Sequence, residues 1–197
     1  MKDIYFSLNL GLIGTDDSRI DIILDYLKEK TKLISTKGSI SEFQFLYENV
    51  PLKMKIFQFK HFEDLTNEIN RLNKLDAIIV AINLYNDQAI SKLSLDNFKE
   101  FCEKFMFNGS TVLVGIDPYL IEQNNPPTSR KINEFALIQK TKELKFHYCF
   151  KIQNPQRDIS DIFNKVLNHV ILKLEFTNPE VFQRVKTNRE DFVGKRL

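Results

Sequence analysis

The chain has 197 residues, 43% of them hydrophobic and 27% charged, an ordinary globular balance and a length for one domain or one domain with an extension. A net charge of +2, with no basic stripe interleaved with aromatics, gives no footing for a nucleic-acid binder. The two cysteines, Cys102 and Cys149, stand far apart with no CxxC or Cys/His cluster, which excludes a zinc ribbon or a disulfide framework and points to the reducing cytoplasm.

Residues 4–13 (IYFSLNLGLI) read as a buried strand ending at Gly14. A helix over 18–30 follows, with Ile20, Ile23, Leu24 and Leu27 at helical spacing and Asp16, Asp17 or Ser18 as its cap. Residues 41–48 and 52–59 alternate in the manner of strands, and Asn49-Val50-Pro51 between them reads as the turn of an antiparallel hairpin. A polar helix is expected over 61–73. The continuous apolar run 75–84 (LDAIIVAINL) fits a central parallel strand covered on both faces.

One helix is then expected over 89–106 and a buried strand over 110–116 (STVLVGI). A loop marked by Pro118 and Pro126-Pro127 runs over 117–128, then a helix over 129–144 and a strand over 145–151. After a loop at 152–158, a last helix runs over 159–176, capped by Ser160 and broken at Asn178-Pro179. Alternation of strands and helices predicts an α/β domain over 1–176: a three-layer α/β/α sandwich on a mostly parallel six-stranded sheet with one antiparallel edge strand. Residues 177–197 read as a polar extension, its basic residues interrupted by Glu190 and Asp191. No apolar run is long enough to span a bilayer. Position 2 is Lys and no cysteine lies near the C-terminus, so no direct membrane anchor is expected.

LGLIG followed by TDDSRIDIILDYL, LDAIIVAINLYN with its Asn/Asp-rich turn, STVLVGI and ISDIFNKVLNHVI stand in an order, hairpin second and third, that resembles the Ras-like small GTPases of the P-loop NTPase fold. The likeness covers roughly residues 4–174. It implies a site at the turn after the first strand, where a GxxxxGK[ST] loop would cradle phosphates. Here that turn reads Gly14-Thr15-Asp16-Asp17-Ser18-Arg19-Ile20-Asp21: Arg19 replaces the second Gly, Ile20 the Lys and Asp21 the Ser/Thr. The DxxG turn maps onto Gln58 and His61, with Phe62 in place of the water-positioning Gln. The guanine-reading NKxD becomes Ile116-Asp117-Pro118-Tyr119, and the SAK turn becomes Lys151-Ile152-Gln153-Asn154.

The resemblance therefore implies a degenerate member, a pseudo-GTPase with no cofactor and no hydrolysis, acting as a protein-interaction or scaffold subunit. The partner surface it implies is the hairpin at 41–62 and the loop after it, where Phe43, Phe45, Phe57, Phe59 and Phe62 would form an apolar patch if exposed. The alternative is a divergent switch binding GTP/GDP with Mg, Arg19 standing in for the Lys. Asp16-Asp17 also invites comparison with receiver domains, but the Asp, Ser/Thr and Lys those place at other strand ends are missing. His61, His147 and His169 lie on three separate elements. Cys149 stands two residues from His147 and would share its strand face, a pairing read as core rather than as a nucleophile.

Overall fold

The computed structural model describes residues 5–68, 74–122, 131–187 and 195–197. Strand β1 (Phe6–Ile13) is followed by a 3-10 turn at Asp16–Ser18 and helix α1 (Asp21–Lys30). Next come β2 (Lys32–Lys37), β3 (Ile40–Tyr47), β4 (Val50–Phe59) and α2 (Phe62–Glu68). The middle of the chain supplies β5 (Ala77–Asn83), α3 (Asp87–Ser91), α4 (Leu95–Phe105), β6 (Ser110–Ile116) and α5 (Pro118–Glu122). The last elements are α6 (Glu134–Glu143), β7 (Tyr148–Ile152), α7 (Pro155–Thr177), α8 (Pro179–Thr187) and β8 (Lys195–Arg196).

The sheet runs β2-β3-β4-β1-β5-β6-β7, with the short β8 beside β3. Along that path only β3 opposes the others, being antiparallel to β2 and to β4, while β4-β1-β5-β6-β7 are parallel. The α/β class with a mostly parallel sheet is as expected. The six-stranded count is not: β2 is an additional strand, and it moves the antiparallel hairpin strand β3 off the edge. Its sequence, KLISTK, is short and mostly exposed, with a register shift between Leu33 and Ser35, so no alternating apolar face announced it.

Strand alternation builds the two helical layers. On β5, Ala77, Ile79 and Ala81 join one core with Leu27 of α1, Phe163 and Val166 of α7 and Phe182 of α8. Ile78, Val80 and Ile82 join the other, with Leu65 of α2, Phe101 of α4 and Leu137 of α6. Gly115 lets α6 approach: a Cβ there would meet Leu84 Cδ2 at 2.6 Å and Leu137 Cδ2 at 3.0 Å. In the C-terminal segment Phe182 and Val185 are buried, and the ring of Phe182 stacks on Phe6 at 6.0 Å.

Several boundaries differ from the sequence reading. The hairpin turns on Glu48 and Asn49, both at positive φ (47° and 67°), with Tyr47 opposite Val50, which is the two-residue turn geometry. Pro51 is therefore inside β4, opposite Leu46, at a non-hydrogen-bonded pair where its missing N–H costs the β3 ladder nothing. The expected helix 89–106 is two: Asn86 caps α3, and Ser94 Oγ accepts from the Asn97 N–H to start α4. The loop over 117–128 contains α5 and then enters positions outside the described residues. Helix α7 begins earlier than expected, with Asn154 as its cap and Pro155 in its first turn. Among the described residues no helix is long and apolar enough to cross a membrane.

Candidate functional site

In an open α/β sheet the default ligand site is the crevice at the carboxyl ends of the two strands where the connections diverge. Here those strands are β1, whose chain continues toward β4, and β5, whose chain continues toward β6. The turns after them carry most of the residues singled out from sequence.

Gly14 is buried, and its N–H donates to the Phe59 carbonyl at 2.9 Å. A Cβ at this position would lie 2.4 Å from Ser18 Oγ and 2.5 Å from Ile20 Cγ2, so only glycine fits beneath the turn. Ser18 is fully buried, and its hydroxyl donates back to the Thr15 carbonyl at 2.6 Å. The Asp16 side chain is outside the described set. Arg19 holds a left-handed backbone, φ 55°, at the position where the phosphate-loop motif has glycine.

Asp17 does not cap α1, nor does Ser18; the capping position is Ile20, without a side-chain bond. The Asp17 carboxylate instead accepts from the Thr15 hydroxyl and from Asn86 Nδ2, the latter at 2.8 Å. Asn86 in turn accepts from the Gln88 and Ala89 N–H groups at 3.1 and 3.2 Å. Desolvation pushes the Asp17 pKa up, but hydrogen bonds from Thr15, Asn86, its own backbone and Asn83 together hold it below the ordinary carboxylate value.

The Arg19 guanidinium is held by two acids. Its Nε lies 3.1 Å from Asp21 Oδ1 and its Nη2 3.1 Å from Asp21 Oδ2, and Nη1 pairs with Glu122 of α5. Asp117, almost fully buried after β6, pairs with Lys131. The Lys131 ammonium sits 5.6 Å from the Tyr85 ring centroid, and Tyr85 meets Tyr119 edge-on at 5.0 Å. Lys131, Asn86 and Glu122 were not foreseen. Asn86-Asp87 at the end of an apolar strand carried a readable cap signal, whereas Lys131 follows a proline-marked segment with no local signature.

Gln58 is half-buried on β4, and its N–H donates to the Ser39 carbonyl at 2.8 Å. His61 is exposed, and its backbone N–H donates to Asp64 at 3.0 Å. Neither reaches the Gly14–Asp21 turn through a hydrogen bond found among the described residues. Phe62 is not a surface patch: its ring packs on Phe101 and Phe98 of α4, at 5.1 and 5.9 Å. Phe43 and Phe45 are fully buried. The apolar side chains exposed on this side of the sheet are Leu33, Ile34 and Ile40.

His147 and Cys149 do not share a face. The His147 ring packs against His169 of α7 at 5.2 Å and accepts the Thr111 N–H at 3.2 Å, whereas Cys149 joins the opposite core. Burial also pushes the Cys149 thiol up, unlike an activated nucleophile. Among the described residues no three His, Cys, Asp or Glu converge as metal ligands. A cavity of ≈ 240 Å³ opens on the α4 side of β5; Gly14, Thr15, His61 and Asn86 line it, but Asp17, Arg19, Asp117 and Tyr119 do not.

No family model matches the chain, and no curated protein matches it.

Proposed function

We propose that this chain is a small-GTPase-like module without nucleotide hydrolysis, acting as a protein-interaction or scaffold subunit. The resemblance in element order is supported by a hairpin lying outside β1, parallel strands on its other side, and a left-handed backbone at Arg19. The observation that carries the loss of catalysis is the filling of the switch-point turn by the chain's own groups. Ser18 occupies its interior, Asp17 is bound by Asn86, and Arg19 is paired with Asp21 and Glu122.

A triphosphate would meet carboxylates at that turn with its one arginine already engaged, a repulsion of several kcal/mol at an effective dielectric of about 20. The alternative, GTP/GDP with Mg held by Arg19, requires that arginine to leave both partners. With catalysis gone, protein contact is the use this reading assigns to the domain. The β2 edge supports it: Leu33, Ile34 and Ile40 are exposed there, and among the described residues β2 pairs only with β3.

The test is a single-turnover assay with radiolabelled GTP and magnesium at protein in excess. The reading predicts phosphate release no faster than the buffer blank. Release that rises with protein and disappears in Arg19→Ala would overturn it in favour of the divergent switch.

A further inference from the structure

The cavity on the α4 side of the sheet has an apolar interior and a basic mouth. It is a pocket of ≈ 240 Å³ that opens to solvent. Val80 and Ile82 of β5 form one wall, and Leu93, Phe98, Leu144 and Phe146 are among the residues opposite. Helix α4 buries only Phe101 completely, and aromatic rings meet around it: Phe98 meets Phe146 at 4.8 Å and Phe62 meets Phe101 at 5.1 Å. The exposed charged or titratable residues among the described ones that line the cavity are Lys60, His61, Lys92 and Glu63.

We propose that this cavity is a binding site for a small monocarboxylic acid with an apolar body, of medium-chain fatty-acid size. Apolar cavities of about 150 Å³ stay dry and admit benzene, so this volume takes a somewhat longer hydrocarbon. The apolar body would lie along Val80 and Ile82, and the carboxylate would remain at the mouth with Lys92. Among the described residues that line the cavity the one glycine is Gly14, short of the glycine-rich run that cradles phosphate. The mouth's excess of cations disfavours an amine of the same shape. Gly14 and Thr15 of the turn after β1 line this site, whereas Asp17, Arg19 and Asp117 do not, and its test does not depend on whether GTP is hydrolysed.

The experiment is calorimetric titration of the full chain with octanoate and, as the neutral analogue, octanol. Two variants accompany it: Ala89→Leu, which places a larger side chain in the lining, and Lys92→Ala, which removes a cation from the mouth. The expected result is saturable one-site octanoate binding, weakened about tenfold or more in Ala89→Leu and about threefold or more in Lys92→Ala, with octanol insensitive to Lys92. In wild-type protein with labelled methyl groups, octanoate should shift Val80, Ile82 and Leu93 but not Leu8 or Leu52 on the opposite face. This readout needs no variant to fold.

Absence of saturable octanoate binding would overturn the proposal, with the space then a packing void. So would octanoate binding that leaves those three methyl groups unmoved. Equal binding of octanol and octanoate, with no effect of Lys92→Ala, would overturn the assignment of a carboxylate.

Discussion

Asp17 Oδ2 and Asn86 Nδ2 lie 2.8 Å apart, and this bond ties the turn after β1 to the first turn of the helix that follows β5. The same Asn86 carbonyl oxygen caps α3, so one side chain fixes both walls of the switch-point crevice. Asn86→Ala removes the cap and leaves Asp17 one donor short, and should lower unfolding free energy by about 1–2 kcal/mol. Urea denaturation of Asn86→Ala, Asp17→Ala and the double variant measures the coupling. A double variant equal to the sum of the singles would mean that the two side chains act separately.

Asp17 also has a pH signature. Its folded-state pKa lies below the ordinary carboxylate value, so its contribution is present above that value and is lost as pH falls through the depressed one. Asn86→Ala should flatten the acid limb of the stability curve between those pH values, read from urea midpoints.

His169 of α7 gives the second pH dependence. Burial, the His147 ring and Lys173 lower its pKa. Its neutral form is favoured in the fold, so stability is held above the ordinary histidine value of about 6.5 and declines as pH falls below it toward the lowered pKa. His169→Gln should remove this slope while leaving the acid limb due to carboxylates. Titrating the His169 ring by NMR would test the same point.

At Asp76 the sign is reversed. Burial raises its pKa, partly offset by the Asn9 N–H donating to its carboxylate at 2.9 Å and by Lys74 and Lys173. Its contribution is therefore greatest at low pH and is lost as pH rises through the raised pKa. Asp76→Asn retains an acceptor for Asn9 and should raise the neutral-pH melting temperature; a lower one would show that the charge itself stabilises the β1–β5 junction.

Gly14→Ala should cost about 1–3 kcal/mol, because the new methyl overlaps Ser18 Oγ and Ile20 Cγ2. Ser18→Ala in the same chain should recover part of that loss, as one of the two obstructing atoms is removed. Thermal melts of the three variants decide it.

The parts of the fold legible in the sequence were those with a strong periodic or apolar signal. The run Ser110–Ile116 was bounded correctly because every residue in it is buried between two helical layers. The paired strands 41–48 and 52–59 showed through the alternation of Phe43, Phe45, Leu52, Met54 and Ile56. Strand β2 was missed because an exposed edge needs no apolar face, and the break at Lys92–Ser94 was missed because no Gly or Pro marks it. At the candidate site, sequence identified Asp17, Arg19 and Asp117 as positions of interest but not their partners. Asn86, Glu122 and Lys131 lie 69, 103 and 14 residues away along the chain, and pairings between separate turns leave no periodicity to read. The cavity beside α4 was equally illegible, since Phe98 and Phe146 look like ordinary core residues.

The central claim is that Asp17 and Arg19, on the turn after β1, are engaged by the chain's own side chains and that this turn takes no nucleotide. Calorimetric titration of nucleotide-stripped protein with GTP and GDP, with and without magnesium, tests it most directly. The account predicts no saturable heat up to the millimolar range, that is, binding no stronger than about −4 kcal/mol. Saturable micromolar binding that requires magnesium and is abolished by Arg19→Ala would contradict it, because Arg19 would then have left Asp21 and Glu122 to hold phosphate.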